Sequence, residues 1–239
     1  MIDLHTHILP NLDDGAKTPE DSVKMLRMER EQGIDTVVLT PHFYRYKERP
    51  EWFLERRMKS VLELREFMLN LPDEELANLP KLVLGCEVAW VPNLADLDCL
   101  PNLCIGRTKN MLLELPFTPW SKVLSSQIYD LMGKTGITPV IAHLERYFKI
   151  QPKEQIEEIL SLGVPVQISA DAFLKLLTRK NSLNALERWA HIVASDCHDP
   201  IKRTPCLGTA MAVVKKKLGE AAVNEIDRCT RELIEIRQG

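Results

Sequence analysis

The chain has 239 residues, 45% hydrophobic and 27% charged, with a formal net charge of −3. This is ordinary globular composition, neither disordered nor fibrous, and long enough to bury a sizeable core. The acidic balance argues against a nucleic-acid partner, which would call for a basic excess, and no apolar run approaches the roughly 20 residues of a membrane-spanning helix.

The opening MIDLHTH carries an acid and histidines where a secretory signal would carry basic and apolar residues. Six cysteines without paired or regular spacing fit reduced thiols. The expectation is a soluble cytoplasmic protein with no membrane insertion.

Short aliphatic and β-branched runs alternate with helix-compatible stretches. The first run, residues 2–5, is followed by Thr18-Pro19-Glu20-Asp21. This is a helix start, with a capping hydroxyl, a proline at the first helical position and acids over the positive dipole end. Gly33 closes that helix. A strand is expected over 36–40, a helix over 50–71 and a strand over 82–87. Residues 93–108, with Pro101, Cys99, Cys104 and weak periodicity, read as an excursion at one end of the sheet.

Strands over 111–115, 138–143, 164–169 and 192–195 follow, with helices over 120–133, 152–162, 208–218 and 220–237. The strands lack polar alternation, as parallel strands covered on both faces do. The alternation predicts an α/β fold with a mainly parallel sheet. Periodicity alone leaves a closed barrel and an open doubly wound sheet both standing.

Histidines and acids gather at the ends of these runs. His5 and His7 end and follow the first strand, His42 follows VVLTP, Glu87 ends LVLGCE, and Glu114 lies in MLLELP. His143 follows VIA, and Asp196 and His198 follow VAS. The C-terminal end of a parallel strand is where barrel and open-sheet enzymes assemble their sites. A lone histidine is more often structural than a ligand, but five of the six histidines stand at strand ends. Independent structural residues would not cluster on one rim.

His5-x-His7 at a strand end presents two imidazoles on one face, and Asp196-x-His198 repeats the pattern. Histidine with carboxylate suits Mn²⁺, Fe or Zn²⁺ rather than a structural zinc. The candidates exceed the needs of one ion, so two or three divalent ions are expected. Clustered divalent ions are the usual means of hydrolysing phosphate esters. Arg146 and Arg203, just beyond His143 and His198, offer planar forks for phosphate oxygens.

Taken in order, MIDLHTH, DDGA, TPH, GCE, LELPF, AHLER and SDCH resemble the PHP superfamily (polymerase and histidinol phosphatase). The likeness is to its bacterial protein-tyrosine phosphatases of the CpsB/CapC type, and it runs from residue 1 to about residue 210. It implies a distorted (β/α)7 barrel, one domain over residues 1–239, carrying a trinuclear site commonly supported by manganese.

Carried across motif by motif, His5, His7, Glu87 and Asp196 would hold one ion. Glu87 would bridge to a second held by Glu114 and His143, and Asp14, His42 and His198 would hold the third. Arg146 and Arg203 would grip the phosphate and, with Asp14 and His42, complete the catalytic set. The implied substrate is phosphotyrosine on a protein, a bacterial tyrosine autokinase that controls capsule or exopolysaccharide synthesis.

The implied reaction is in-line attack by a hydroxide that the ions generate, with tyrosinate leaving. Phenolate, with an unperturbed pKa near 10, leaves more readily than an alkoxide, and no general acid is identified. Two departures from the family pattern are Leu144, where proline is usual, which bears on how Arg146 is presented, and the charged segment 45–52.

Two rival readings accompany this one. Cys197-His-Asp-Pro-Ile-Lys-Arg203-Thr204 matches the string of cysteine-dependent tyrosine phosphatases. Such a loop must cradle phosphate with free backbone N–H groups, yet Pro200 removes one donor and Asp199 adds a repelling charge. The other rival keeps the metal site and acts on a small molecule such as histidinol phosphate. A non-catalytic binding module would be marked by a missing ligand, and none is missing. Oligomeric state is not written in these residues.

Overall fold

A computed structural model describes residues 1–235 of the chain. β1 (Ile2–Thr6) is buried along its whole length. α1 (Pro19–Glu31) starts where its cap dictates, the Asp21 N–H donating to Thr18 Oγ1 at 3.2 Å. β2 (Thr36–Leu39) and β3 (His42–Phe43) are two halves of one run. They part at Thr40-Pro41, because proline has no N–H for the ladder.

α2 (Pro50–Leu69) and α3 (Asp73–Asn78) follow, then β4 (Lys81–Leu84) and β5 (Glu87–Ala89), parted at Gly85-Cys86. Next come β6 (Asn110–Glu114), α4 (Leu124–Thr135), β7 (Thr138–Ile141) and a 3-10 turn over Leu144–Lys149. The chain continues through α5 (Lys153–Leu160), β8 (Gln167–Ser169), α6 (Asp171–Leu174) and α7 (Leu176–Arg188). β9 (Ile192–Ala194), α8 (Leu207–Leu218) and α9 (Glu220–Ile234) complete it.

Every strand pairing is parallel, in the orders β1-β2-β4, β3-β5-β6-β7 and β8-β9. Single bridges link Ile141 to Val166 and Thr6 to Cys197, carrying the pairing from β7 towards β8 and from the end of β9 back to β1. This is the mixed α/β fold of parallel strands and helical crossovers that the alternating runs imply.

Both faces of the strands are covered. Ile2, Leu4, Val38, Leu112, Val140 and Ile192, from five strands, pack into one cluster. Leu233 of α9 joins them, its carbonyl accepting from Asn110 Nδ2 at 2.8 Å. Residues of the opposite parity, such as Val37, Leu113, Ile141 and Val193, belong to the larger cluster beneath the helices.

β1 changes parity part-way. Ile2 pairs with Thr36 and Asp3 with Val37, but Thr6 pairs with Leu39, so β1 holds one extra residue over that span. Such a bulge re-aims the side chains beyond it. Ile2 and Leu4 therefore face the strand-enclosed cluster, while His5 and His7, further along, turn towards the mouth.

The structure departs from the sequence reading in several places. α3, α6 and α7 fall where no helix was assigned. Residues 93–108 are not an end excursion but lie along the flank, where a crossover helix would run. Their 3-10 turns over Leu94–Asp96 and Leu100–Leu103 bury Leu94, Leu100 and Leu103 in the larger cluster. Arg57 of α2 pins them, donating to the Asn102 carbonyl at 2.9 Å and the Gly85 carbonyl at 3.1 Å. Residues 236 and 237 of the last expected helix lie outside the described residues. Among the described residues, no helix is long and apolar enough to cross a membrane.

Tyr147 fixes the end of β6. Its buried hydroxyl accepts from the Leu115 N–H at 2.9 Å and donates to the Leu115 carbonyl at 3.0 Å. Tyr147→Phe leaves both groups without a partner and should cost about 1–3 kcal/mol. Denaturant unfolding checks this, and an unchanged midpoint would show that the hydroxyl is not needed to hold Leu115.

Candidate metal centre

All the sequence-nominated histidines and acids meet at the C-terminal ends of the strands. Glu87, the first residue of β5, lies at the middle. Its Oε2 is 3.2 Å from His5 Nε2, 3.3 Å from His7 Nε2 and 2.8 Å from His42 Nδ1, and its Oε1 is 2.8 Å from His143 Nε2.

Asp196 Oδ1 completes one side, 3.4 Å from both His5 Nε2 and His7 Nε2, which are themselves 3.1 Å apart. Glu114 lies 3.5 Å from His143, and the exposed Asp14 lies 3.4 Å from His42 and 3.5 Å from His198. His191, the one histidine left out, is exposed and stands just before β9.

Two of these residues adopt left-handed backbone, His143 with φ 35° and Asp196 with φ 53°. Non-glycine residues there cost about 1–3 kcal/mol and gather at functional sites. Gly15 is dictated by a close approach: a Cβ at that position would lie 2.0 Å from the His7 carbonyl oxygen. That is why DDGA rather than DDAA can fold back over β1.

Electrostatics set the protonation of the centre. Burial disfavours charge on Glu87 and Asp196, but the neighbouring imidazoles outweigh it and hold both carboxyls well below the usual range. Burial alone would lower His143, yet hydrogen bonds to the Glu114 and Glu87 carboxylates raise it to about 9. His7 is likewise raised against its burial by Asp13. Asp14 is held down at about 2, chiefly by the His198 imidazole beside it.

Four buried atoms, Glu87 Oε2, His42 Nδ1, His143 Nδ1 and His198 Nε2, have no hydrogen-bond partner. His42 Nδ1 and Glu87 Oε2 are close but misaligned for one. Buried polar groups are normally satisfied, so lone pairs crowded around common points fit divalent cations. Ligand atoms within 4.8 Å of one another come from three overlapping sets: His7, Asp14, His42 and His198; His5, His7 and Glu87; His42, Glu87 and Glu114. The nitrogen and oxygen donors suit Mn²⁺, Fe or Zn²⁺.

Further residues, not nominated from the sequence, orient these groups. Asp13 Oδ2 accepts from His7 Nδ1 at 2.8 Å and from the His42 N–H at 3.0 Å. Gln167 Oε1 lies 3.1 Å from His5 Nδ1 and accepts from the His143 N–H at 3.0 Å. Such partners set the tautomer and ring direction of a metal-binding histidine. Gln167 left a readable signal as a polar residue inside an apolar strand run. Asp13 left only its adjacency to Asp14.

Arg146 hydrogen-bonds Asp196 Oδ2, and Arg203 Nη2 approaches the same oxygen at 2.8 Å. Aromatic rings stand on both flanks, Tyr44 stacked on His42 at 5.0 Å between centroids and Phe117 on His143 at 5.5 Å.

Cys197 is buried, with Sγ 3.6 Å from Glu29 Oε1, and burial, with Glu29 and Asp3 beside it, pushes its thiol well up. A nucleophilic cysteine needs the thiolate. The loop amides that would cradle phosphate are already taken. Asp199 Oδ1 accepts from the N–H groups of Ile201 at 2.8 Å and Lys202 at 2.6 Å, and Oδ2 from that of Arg203 at 3.3 Å. The cysteine route therefore lacks both its nucleophile and its cradle.

The family model described as capsular polysaccharide synthesis, CpsB/CapC, matches residues 1–233. The chain belongs to that family. Tyrosine-protein phosphatase YwqE of Bacillus subtilis is 32% identical over 226 residues, 92% of this chain and 85% of the relative. Tyrosine-protein phosphatase CpsB of Streptococcus pneumoniae is 28% identical over 242 residues, covering 95% and 94%.

A solved structure from work on YwqE of B. subtilis and CpsB of S. pneumoniae, described there as unique metal-dependent tyrosine phosphatases, superposes with a TM-score of 0.82. The two are 26% identical, and the match covers 98% of this chain and 94% of that one. A TatD-family hydrolase from Entamoeba histolytica, at 13% identity and TM-score 0.54, shares the fold.

Two predictions follow from this geometry. Metal ligation needs neutral imidazoles, and His143, raised to about 9 from 6.5, is protonated at neutral pH in the metal-free protein. Mn²⁺ should therefore release protons on binding and bind more tightly as pH rises towards about 9. Over the same window, the metal-free fold should lose the stability it draws from charged His143. Calorimetry in buffers of differing ionisation enthalpy reads the proton count, and pH-independent binding without proton release would refute this protonation scheme. Separately, Gly15→Ala should push His7 out of register and weaken Mn²⁺ binding at least about tenfold, in line with the loss of an orienting partner, whereas unchanged affinity would show that the loop yields.

Proposed function

We propose that the protein is a metal-dependent protein-tyrosine phosphatase acting in the cytoplasm on phosphotyrosine of a bacterial tyrosine kinase that governs capsule or exopolysaccharide synthesis. The observation that carries the reading is the convergence of His5, His7, Asp14, His42, Glu87, Glu114, His143, Asp196 and His198 on one rim beside Arg146 and Arg203. The chain's membership of a family whose named relatives are tyrosine phosphatases supports it.

The scaffold reads as a distorted (β/α)7 barrel forming one domain. Support comes from the parallel pairings, the bridges that join their edges and the likeness to the phosphatase structure.

In this reading His5, His7, Glu87 and Asp196 hold one ion, Glu87 with Glu114 and His143 a second, and Asp14, His42 and His198 a third, with manganese the expected metal. Divalent ions, when bound, supply Lewis acidity that makes hydroxide available near neutral pH and neutralises phosphoryl charge. Arg146 and Arg203 turn their forks from Asp196 to the phosphoryl oxygens, which suits bidentate recognition. Tyr44 and Phe117 provide flat walls for the phenol ring of the substrate. Asp13 and Gln167 keep the His7 and His5 rings aimed.

Purified protein should lose phosphotyrosine-peptide hydrolysis on chelation and regain it with Mn²⁺. His42→Ala or Asp196→Ala should lower kcat by about a hundredfold or more, while Cys197→Ser stays near normal. Activity that survives thorough chelation would overturn the metal-centred reading.

A further inference from the structure

Beside the arginines the surface opens into a cleft of about 350 Å³ lined by Arg146, Asp171, Lys175, Asp196, Lys202 and Arg203, among others. Four cations face two carboxylates there. Lys175 is paired with Asp171, both arginines with Asp196, and Arg146 also with Glu145. Lys202 has no acidic side chain within 4 Å among the described residues, and its N–H is held by Asp199, so its side chain springs from a fixed turn.

Leu176, 83% exposed, and Leu177, 95% exposed, follow Lys175 in the chain, and Ile201, 83% exposed, precedes Lys202. None of the three contributes to either buried cluster. Large apolar side chains bared on the segments that border a charged cleft fit a contact surface.

We propose that this cleft and its apolar lip hold the polypeptide that flanks the phosphotyrosine, taking an acidic residue against Lys202 and an apolar residue against Leu176, Leu177 and Ile201. The inference rests on the phosphotyrosine reading. The occupant follows from continuity and charge. The cleft begins at Arg146 and Arg203, where the phosphoryl group is held, so a chain carrying that group has to cross this rim. Lys202, the lining cation without a carboxylate contact, selects an anionic residue. The cleft thus separates a protein substrate from a small aryl phosphate, which reaches only the metal centre.

The test uses Mn²⁺-loaded protein and three substrates: free phosphotyrosine, a phosphotyrosine peptide with Asp or Glu flanks, and the same peptide with Lys flanks. The unaltered protein should prefer the acidic peptide to the lysine one. Lys202→Glu and the double variant Leu176→Ser with Leu177→Ser should each lower kcat/KM for the acidic peptide by about tenfold, mainly through KM. Turnover of free phosphotyrosine should not change.

Equal losses on peptide and free amino acid, or no loss on either, would overturn the cleft. So would a sedimentation shift from oligomer to monomer in the double-serine variant, because a second copy would then be the occupant. Hydrolysis of free phosphotyrosine with no preference between the peptides would sink the cleft alone. No hydrolysis of any of the three substrates by the unaltered protein would sink the phosphatase reading with it.

Discussion

The carboxylate of Glu87 is the constraint on which the centre depends. It is buried and meets ring nitrogens of His5, His7, His42 and His143 within 3.3 Å. A carboxylate stripped of water must be compensated by positive charge or by hydrogen bonds. Imidazoles compensate it only in part: they repel one another when protonated and leave lone pairs unmatched when neutral. The orphaned atoms around Glu87 follow from that conflict. The twisted backbone at His143 and Asp196 and the bulge in β1 bring further side chains to the same point.

The surrounding polar network narrows the chemistry further. Asp13 and Gln167 each bind one imidazole nitrogen and one neighbouring backbone N–H, so a single side chain fixes both a ring and the loop that carries the next histidine of the centre. Asp3 plays a similar part below the centre. It accepts from the His5 N–H at 3.3 Å and the Ser195 N–H at 3.0 Å and so ties β1 to the end of β9. Burial raises Asp3 and, more strongly, its neighbour Glu29, where the nearby Asp3 charge adds to the rise.

Much of this was legible in the chain because two signals coincide. Apolar runs mark strands, and metal-type residues at their ends mark the mouth, so His42 after VVLTP or Asp196 after VAS carried its own address. Cys197 within a familiar phosphatase string was set aside for Pro200 and Asp199, and the structure adds that Asp199 occupies the loop amides itself. What could not be read depends on geometry without a residue-type marker. The breaks at Thr40-Pro41 and Gly85-Cys86 interrupt runs that look continuous. α7 escaped assignment because its first turn carries bare leucines, which blur the amphipathic stripe. Residues 93–108 bury leucines without helical spacing, so nothing announced that they cover the flank.

The extra residue in β1 divides that strand into two mechanical provinces. Below it, Ile2 and Leu4 answer to the packing of their neighbours, and above it, His5 and His7 answer to the centre. Without the bulge, the side chains that fill the interior and those that reach the mouth would be bound to a single alternation. With it, drift in the buried half can alter stability while the imidazoles keep their aim, and the scaffold and the centre can evolve at different rates within the short span from Ile2 to His7.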